Sequence, residues 1–433
     1  MQVSVKSVAV RDPDAVLYRR IALRLLPFLM LCYACAYLDR VNVGFAKLGM
    51  AQELRFSEAI YGAGAGIFFI GYFLFEVPSN AILHRVGART WIARIMISWA
   101  VLSAACALVQ GQVSFYVARF LLGAAEAGFF PGVILYLTYW FPAARRGQII
   151  ALFMVAIPLS GLFGAPLSGA IMEALDGVGG HSGWRWMLGM EALPALLLGL
   201  SVPFVLSSRP ADARWLSDAD KALLETNLAA DLPNAGTTGG EEERRIRDVL
   251  VDPVVLRFAL IYFCCIMGQY GVTFWLPALV RAAGAQSTWL VGAYSAIPYG
   301  AAVVTMVLTG RYSDRTGERR GPVAICSLAG AAGLILTSLA GTHLGLALLG
   351  LSLAAAGLLT TAPVFWTLPT ALLRGSAAAV GIAAINSVGN LGGFVSPMLV
   401  GWLNDRTGFS MAGLWALAMI SAIGAVAVLR TKA

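Results

Sequence analysis

Five ionisable side chains sit inside stretches that are otherwise apolar: Asp39, Arg40, Glu76, Arg119 and Glu126. A charge near the centre of a membrane helix costs at least about 2.5–3.5 kcal/mol on insertion scales, so such residues face a cavity or a partner and carry function. The acids can take up and release protons. The arginines offer a planar, two-pronged donor set that suits a carboxylate. Arg119 and Glu126 are seven residues apart, which on a helix is two turns, one face and about 10.5 Å along the axis. That spacing suits a fixed cation for an anion and a separate titrating acid; a structural ion pair between helices is the other reading. Asp39 and Arg40 are adjacent and so diverge by about 100°, which lets one face a cavity while the other meets a neighbouring helix. A carboxyl removed from water holds its proton more tightly, so Asp39 could exchange a proton near neutral pH. The alternative for this pair is a place beside the headgroups, because Lys47 and a polar stretch at 51–58 follow closely.

The elements that position these groups are long apolar runs. Of 433 residues, 59% are hydrophobic and 12% are charged. Soluble domains carry about a quarter charged residues, and disorder requires low hydropathy, so both classes are excluded. A helix needs about 20 largely apolar residues to cross a bilayer. Twelve such runs are read at 22–45, 57–80, 91–109, 114–139, 147–172, 185–206, 255–280, 288–310, 322–341, 344–368, 376–402 and 411–430. The expected fold is an all-α polytopic membrane protein of twelve transmembrane helices in two six-helix halves. Its parts are an N-terminal tail at 1–21, a bundle at 22–206, a central loop at 207–254 and a second bundle at 255–430. The central loop carries the run Glu241, Glu242, Glu243, Arg244, Arg245 and reads as a linker or an amphipathic surface helix.

The net charge of +8 would suggest nucleic acid in a soluble protein, but here the basic residues fall in short loops. Counted by side, 24 Lys and Arg lie with the termini and the central loop, and five lie opposite. The positive-inside rule then puts both termini in the cytoplasm, and no nucleic-acid partner is expected. All six cysteines lie in apolar runs, and the one C-x-x-C, Cys32 and Cys35, has no second pair or nearby histidine. They read as small buried hydrophobes rather than metal ligands. The first run follows about 20 polar residues and leads into further spans, unlike a cleavable signal. With three histidines (His84, His181, His343) and no nucleophile or metal motif, neither an enzyme nor a cofactor is expected. A sensor of this architecture would need a larger cytoplasmic domain.

The halves echo one another. Residues 83–89 read L-H-R-V-G-A-R and 313–319 read S-D-R-T-G-E-R, matching at Arg85, Gly87 and Arg89 after 230 positions. Gly161-x-x-x-x-Pro166-x-x-Gly169 recurs as Gly392-x-x-x-x-Pro397-x-x-x-Gly401, with the prolines 231 apart. Two matches at nearly one offset argue for duplicated halves, a transporter architecture. Proline and glycine positions such as Pro158, Gly161, Pro166 and Pro397 mark helix bends about which halves rock.

The loop Gly310-x-x-x-Asp314-Arg315-x-Gly317-x-Arg319-Arg320 resembles the signature loop of the major facilitator superfamily, with His84 standing where the first-half copy usually has aspartate. Tyr37-Leu38-Asp39-Arg40-Val41-Asn42, Arg119-Phe120-Leu121-Leu122-Gly123-x-x-Glu126-Ala127-Gly128 and Gly389-Asn390-Leu391-Gly392-Gly393 look like the anion:cation symporter family. The stretch Phe69 to Asn80, F-I-G-Y-F-L-F-E-V-P-S-N, resembles its tartrate and hydroxyphenylacetate members most. The resemblance implies proton-coupled uptake of a small organic anion such as tartrate, a sugar acid or an aromatic carboxylate. It implies proton coupling at Asp39 and Glu126. It assigns substrate contacts to Arg40, with Arg119 holding the acid of its own span, and a pocket lined by Tyr72, Gln269 and Asn390; as the second membrane arginine, Arg119 is also expected to compensate the substrate carboxylate. The repeat places Gln269 opposite Asp39, 230 residues on. Trp275, Trp366, Phe365, Tyr270, Tyr299, Asn386 and Thr361 are weaker pocket candidates. His84, Arg85, Gly87 and Arg89, with Gly310, Asp314, Arg315, Gly317 and Arg319, are expected to gate the cytoplasmic side. There the arginines would pair with acids of adjoining spans in one state and release them in another. Partners are the anion, protons and the bilayer, with a monomer sufficient. Proton-driven efflux is the alternative, which the two intramembrane arginines disfavour.

Overall fold

A computed structural model describes residues 13–230, 251–372, 376–408 and 411–431. Among these the secondary structure is helical, and twelve helical stretches are long and apolar enough to cross a membrane. The first six are Asp14–Glu53, Glu58–Leu83, Ala88–Leu108, Gln112–Thr138, Arg145–Ala174 and Gly183–Val205. The second six are Pro253–Ala282, Thr288–Thr316, Arg320–Leu339, Leu344–Pro369, Gly381–Thr407 and Ala412–Leu429. An even number of crossings puts both ends of the chain on one side, here called the terminal face.

The start of the first span differs from expectation. The first helix already begins at Pro13, within the segment read as a tail. The reason lies in the central loop, part of which forms the helix Asp218–Ala230 and gives that extension something to pack on. Arg20 binds Asp220 at 2.8 Å, and Asn227 donates to the Tyr18 hydroxyl at 3.2 Å. The charged run 241–245 lies outside the described residues.

The last glycine of each repeat has a shared job, which is to let the halves touch. A methyl group on Gly169 of the fifth span would lie 2.6 Å from the carbonyl oxygen of Thr288, the first residue of the eighth. One on Gly401 of the eleventh span would meet the carbonyl of Glu58, the first residue of the second. Gly62 and Gly66 face Pro397 and Phe394 of the eleventh span in the same way. The fifth and eighth spans, and the second and eleventh, thus form two equivalent seams away from the terminal face. Below them Lys47 is buried, paired with Glu58 at 2.6 Å, its ammonium 3.7 Å from the Trp275 ring centre of the other half. The outer-loop cation of the sequence reading is in fact a plug.

Each seam ends in the same hydrogen-bond device. Ser57 caps the second span by accepting from the Ile60 amide, and Ser287 caps the eighth from the Leu290 amide, both at 3.2 Å. The amide left over at the second helical position is taken across the seam. Ala59 N–H donates to Asp405 at 2.8 Å, and Trp289 N–H donates to Glu173 at 2.7 Å. A helix N-terminus favours an anion electrostatically, so each acid suits the amide it accepts from. Replacing both acids (Glu173→Ala with Asp405→Ala) is expected to shift the halves apart on this face. Spin labels at the exposed Leu108 and Thr342, one per half, should then report a longer distance; an unchanged distribution would contradict the assignment.

Candidate functional site

Asp39 and Arg40 diverge as adjacent helical residues must, and that divergence organises the centre of the molecule. Asp39 points into its own half, accepting from Trp99 Nε1 at 2.8 Å and from Ser103 Oγ at 3.0 Å, both on the third span. Arg40 points to the seam between halves. One terminal nitrogen is ion-paired with Glu126, and the other donates to the Tyr270 hydroxyl of the second half at 2.6 Å. Its guanidinium carbon lies 5.2 Å from the Phe68 ring centre, 5.9 Å from Phe69 and 5.4 Å from Tyr72. Aromatic faces within about 6 Å attract a cation, so the rings hold Arg40 where two charged hydrogen bonds already aim it.

Glu126 reaches this position because its span breaks there. The helix Gln112–Glu126 ends at the acid, Gly128 takes a left-handed φ of 89°, and a second helix runs Phe129–Thr138. A side chain at 128 would also strike Ser79, so glycine is required twice over. Discontinuous helices at mid-membrane are a recurrent way to build transporter sites. The continuous helix expected over 114–139 is therefore corrected: Gly123 gives close approach to Phe68, but Gly128 is a hinge in the backbone. Among the described residues Arg119 makes no direct ion pair with the acid of its own span and acts on it only through space. It donates to the Arg40 carbonyl at 3.1 Å and lies 5.1 Å from the Phe68 ring centre, bracing the first span from behind.

The second half supplies the opposite wall. Gln269 donates to the Tyr37 hydroxyl at 3.3 Å, and Tyr37 stacks on Tyr270 at 6.4 Å. The 230-residue offset thus brings Tyr270 to Arg40 rather than Gln269 to Asp39, since Asp39 faces away. Tyr72 is buried against Arg40. Asn390 is half-buried one turn beyond Asn386, and Asn386 donates to Glu76 across the seam at 3.0 Å. Among the weaker candidates, Tyr299 packs on Gly161, Trp275 caps Lys47, and Phe365 and Trp366 pack on Tyr262. Arg40 Nε, Glu126 Oε2 and Glu76 Oε2 are buried without a hydrogen-bond partner. Buried polar atoms are almost always paired, so this cluster is left with capacity for a polar guest.

The signature loops lie on the terminal face and pair locally. Gly317, with φ of 72°, closes the helix and folds Arg319 back onto Asp314 at 2.9 Å and onto Ser313 at 3.0 Å. Arg89 donates to the Pro203 carbonyl of the sixth span, beside Gly87 with φ of 94°. Arg85 and Arg315 are exposed. Among the described residues Arg319 pairs in this state with Asp314 of its own span, which the tight turn puts nearest, rather than with an acid of an adjoining span. Gly310 is mid-helix, and the His84 side chain lies outside the described residues. One further buried acid follows from the cost of charge in an apolar run but is not among the sequence candidates. Glu191 interrupts the apolar sixth span, is buried, and accepts from Asn42 at 3.0 Å and Ser168 at 2.6 Å, tying the first, fifth and sixth spans. All six cysteines are free.

A family model described as Major Facilitator Superfamily matches residues 29–397. The chain belongs to the major facilitator superfamily. It is a transporter by fold, not an enzyme, and a multi-pass membrane protein. This facilitator is 48% identical over 98% of its length, and 92% of the relative's, to a protein named "Putative tartrate transporter" from Agrobacterium vitis. It is 39% identical to the "Quinolone resistance transporter" of Acinetobacter baumannii, over 94% of this chain and 93% of that one. Among solved structures it is similar to a bacterial homologue of the lysosomal transporter Spinster, inward-facing and occupied. There the TM-score is 0.71 at 16% identity, covering 95% and 96% of the two chains. A D-xylose–proton symporter follows at 0.70 and 18%, covering 95% and 97%. Tartrate-transporter relatives at this identity agree with the anion-carrier resemblance of the sequence motifs.

Proposed function

We propose that this facilitator takes up a small organic anion together with protons by alternating access. The observation that carries the reading is Arg40, a cation at the seam shared by Glu126 of its own half and Tyr270 of the other. A substrate carboxylate and Glu126 compete for the same guanidinium. Protonation of Glu126 removes the competitor, so proton and anion favour each other's binding. Tyr72, Gln269 and Asn390 then contact the rest of the substrate, and Arg119 keeps the first span in register. Asp39 is the second proton-coupling acid, buried beside Arg119, Asn42 and Ser103. With substrate and protons bound the centre is near neutral, which lets the bundles 22–206 and 255–430 rock as units.

The termini face the cytoplasm, in line with the basic loops, and the membrane is the inner membrane. The sealed seams then lie on the outer side, and the arrangement is inward-facing or occluded. If two protons accompany a monoanion, one positive charge enters per cycle, worth about 2.3 kcal/mol per 100 mV. One protomer holds every residue invoked. The test is counterflow in proteoliposomes with labelled tartrate, galactonate, phthalate and 4-hydroxyphenylacetate. Exchange of one class is expected; exchange of none, with movement of organic cations instead, would overturn the reading. The second reading is efflux by proton antiport, favoured by the name of the Acinetobacter relative. The direction of accumulation under an inward proton gradient separates the two.

A further inference from the structure

Glu76 belongs to no pair in the scheme above, and its surroundings are unusual for a carboxyl. It is 6% exposed, on the second span, one turn beyond Tyr72 towards the terminal face. Oε1 accepts from Asn386 Nδ2 of the other half at 3.0 Å, and Oε2 has no partner. No Lys, Arg or His lies within ion-pair distance of it among the described residues. The charged and titratable groups that act on it through space are Arg40 of the first span, Tyr72 of its own and Tyr262 of the seventh. Arg40 is already committed to Glu126.

One cation therefore serves two acids, and geometry gives it to Glu126. An ionised carboxylate buried with a single neutral donor is strongly disfavoured, because charges leave water at large cost unless paired. The neutral acid suits the position: it keeps the Asn386 bond and offers Oε2 as a hydroxyl. The Asn386 bond also crosses between halves, so it exists only while they meet at this depth. When they part on the terminal face, Asn386 leaves with its half and Glu76 meets water, where the ionised form is favoured.

We propose that Glu76 is a further proton-binding residue of the transport cycle, loaded while bonded to Asn386 and emptied when the terminal face opens. The step moves one proton from the Glu76 carboxyl to water and breaks no other covalent bond. This rests on the proton-coupled reading above. It adds an acid that the resemblance does not name, and it places proton release on the terminal side of Arg40.

The test is the proton-to-anion ratio, read from the opposing anion gradient that stops flux at a set pH difference, in wild type and Glu76→Gln. Glutamine keeps the bond to Asn386 but carries no exchangeable acid. The ratio is expected to fall by one, and exchange of labelled for unlabelled anion, which needs no net proton release, should fall far less than pH-driven uptake. An unchanged ratio would overturn the inference, as would equal loss of exchange and uptake in a folded variant. If Glu76→Gln does not fold, Asn386→Ala serves: the ratio should hold while the pH at half-maximal rate moves, and an unmoved pH profile would overturn the inference. A wild type that moves anion without protons would instead fail the symport reading itself.

Discussion

Arg40→Gln is expected to weaken anion binding and also to destabilise the protein, and adding Glu126→Gln should repair only the second defect. The single change leaves Glu126 buried without its ion-pair partner, with Arg119 acting on it only through space. Removing one partner of a buried pair costs about 3–5 kcal/mol, enough to lower the melting temperature measurably. The double variant removes both charges, so stability should return towards wild type. Binding should not return, because the charged hydrogen bonds to a carboxylate are gone. Such bonds contribute about 1.5–3 kcal/mol, which is about a tenfold to hundredfold loss of affinity. Melting curves and equilibrium binding on the same preparations separate the two effects. Binding within threefold of wild type in the double variant would remove Arg40 from the substrate site.

Glu126→Gln alone should act in the opposite sense on binding and weaken coupling. Glutamine keeps the shape and can still accept from Arg40, but it no longer competes as an anion. Affinity for the substrate should be retained or tightened, and its pH dependence flattened. Wild-type affinity should rise as pH falls, since protonation of Glu126 frees Arg40. With a one-unit pH gradient each coupled proton supports about a tenfold accumulation, and the variant should lose at least one such factor. Accumulation equal to wild type would move the coupling proton elsewhere.

The sequence was legible where one physical rule acts on a contiguous stretch. Twelve spans followed from run length, and the central acids and arginines followed from the cost of charge in hydrocarbon. The glycines of the repeat were visible as a pattern, although their job was not. Gly169 and Gly401 each face the first residue of a span in the other half, a contact that only three-dimensional pairing supplies. Partners were harder than candidates for the same reason. Nothing local shows that Glu126 goes to Arg40 while Arg119 takes a backbone carbonyl, because a helix break at Gly128 re-aims the acid. The Tyr270 contact follows from the repeat only once Arg40 rather than Asp39 is known to face the seam. The caps by Glu173 and Asp405 are hidden in the sequence because each acid meets its amide only across a seam.

The central claim is that anion and proton move together, and proton entry into proteoliposomes with an internal pH dye tests it most directly. Adding the acid that shows counterflow, at equal pH on both sides, should acidify the lumen in wild type, and Glu126→Gln should carry fewer protons per anion. Entry of labelled anion with no acidification at any pH tested would contradict the account, and would leave the Arg40–Glu126 pair as a binding element without a coupling role.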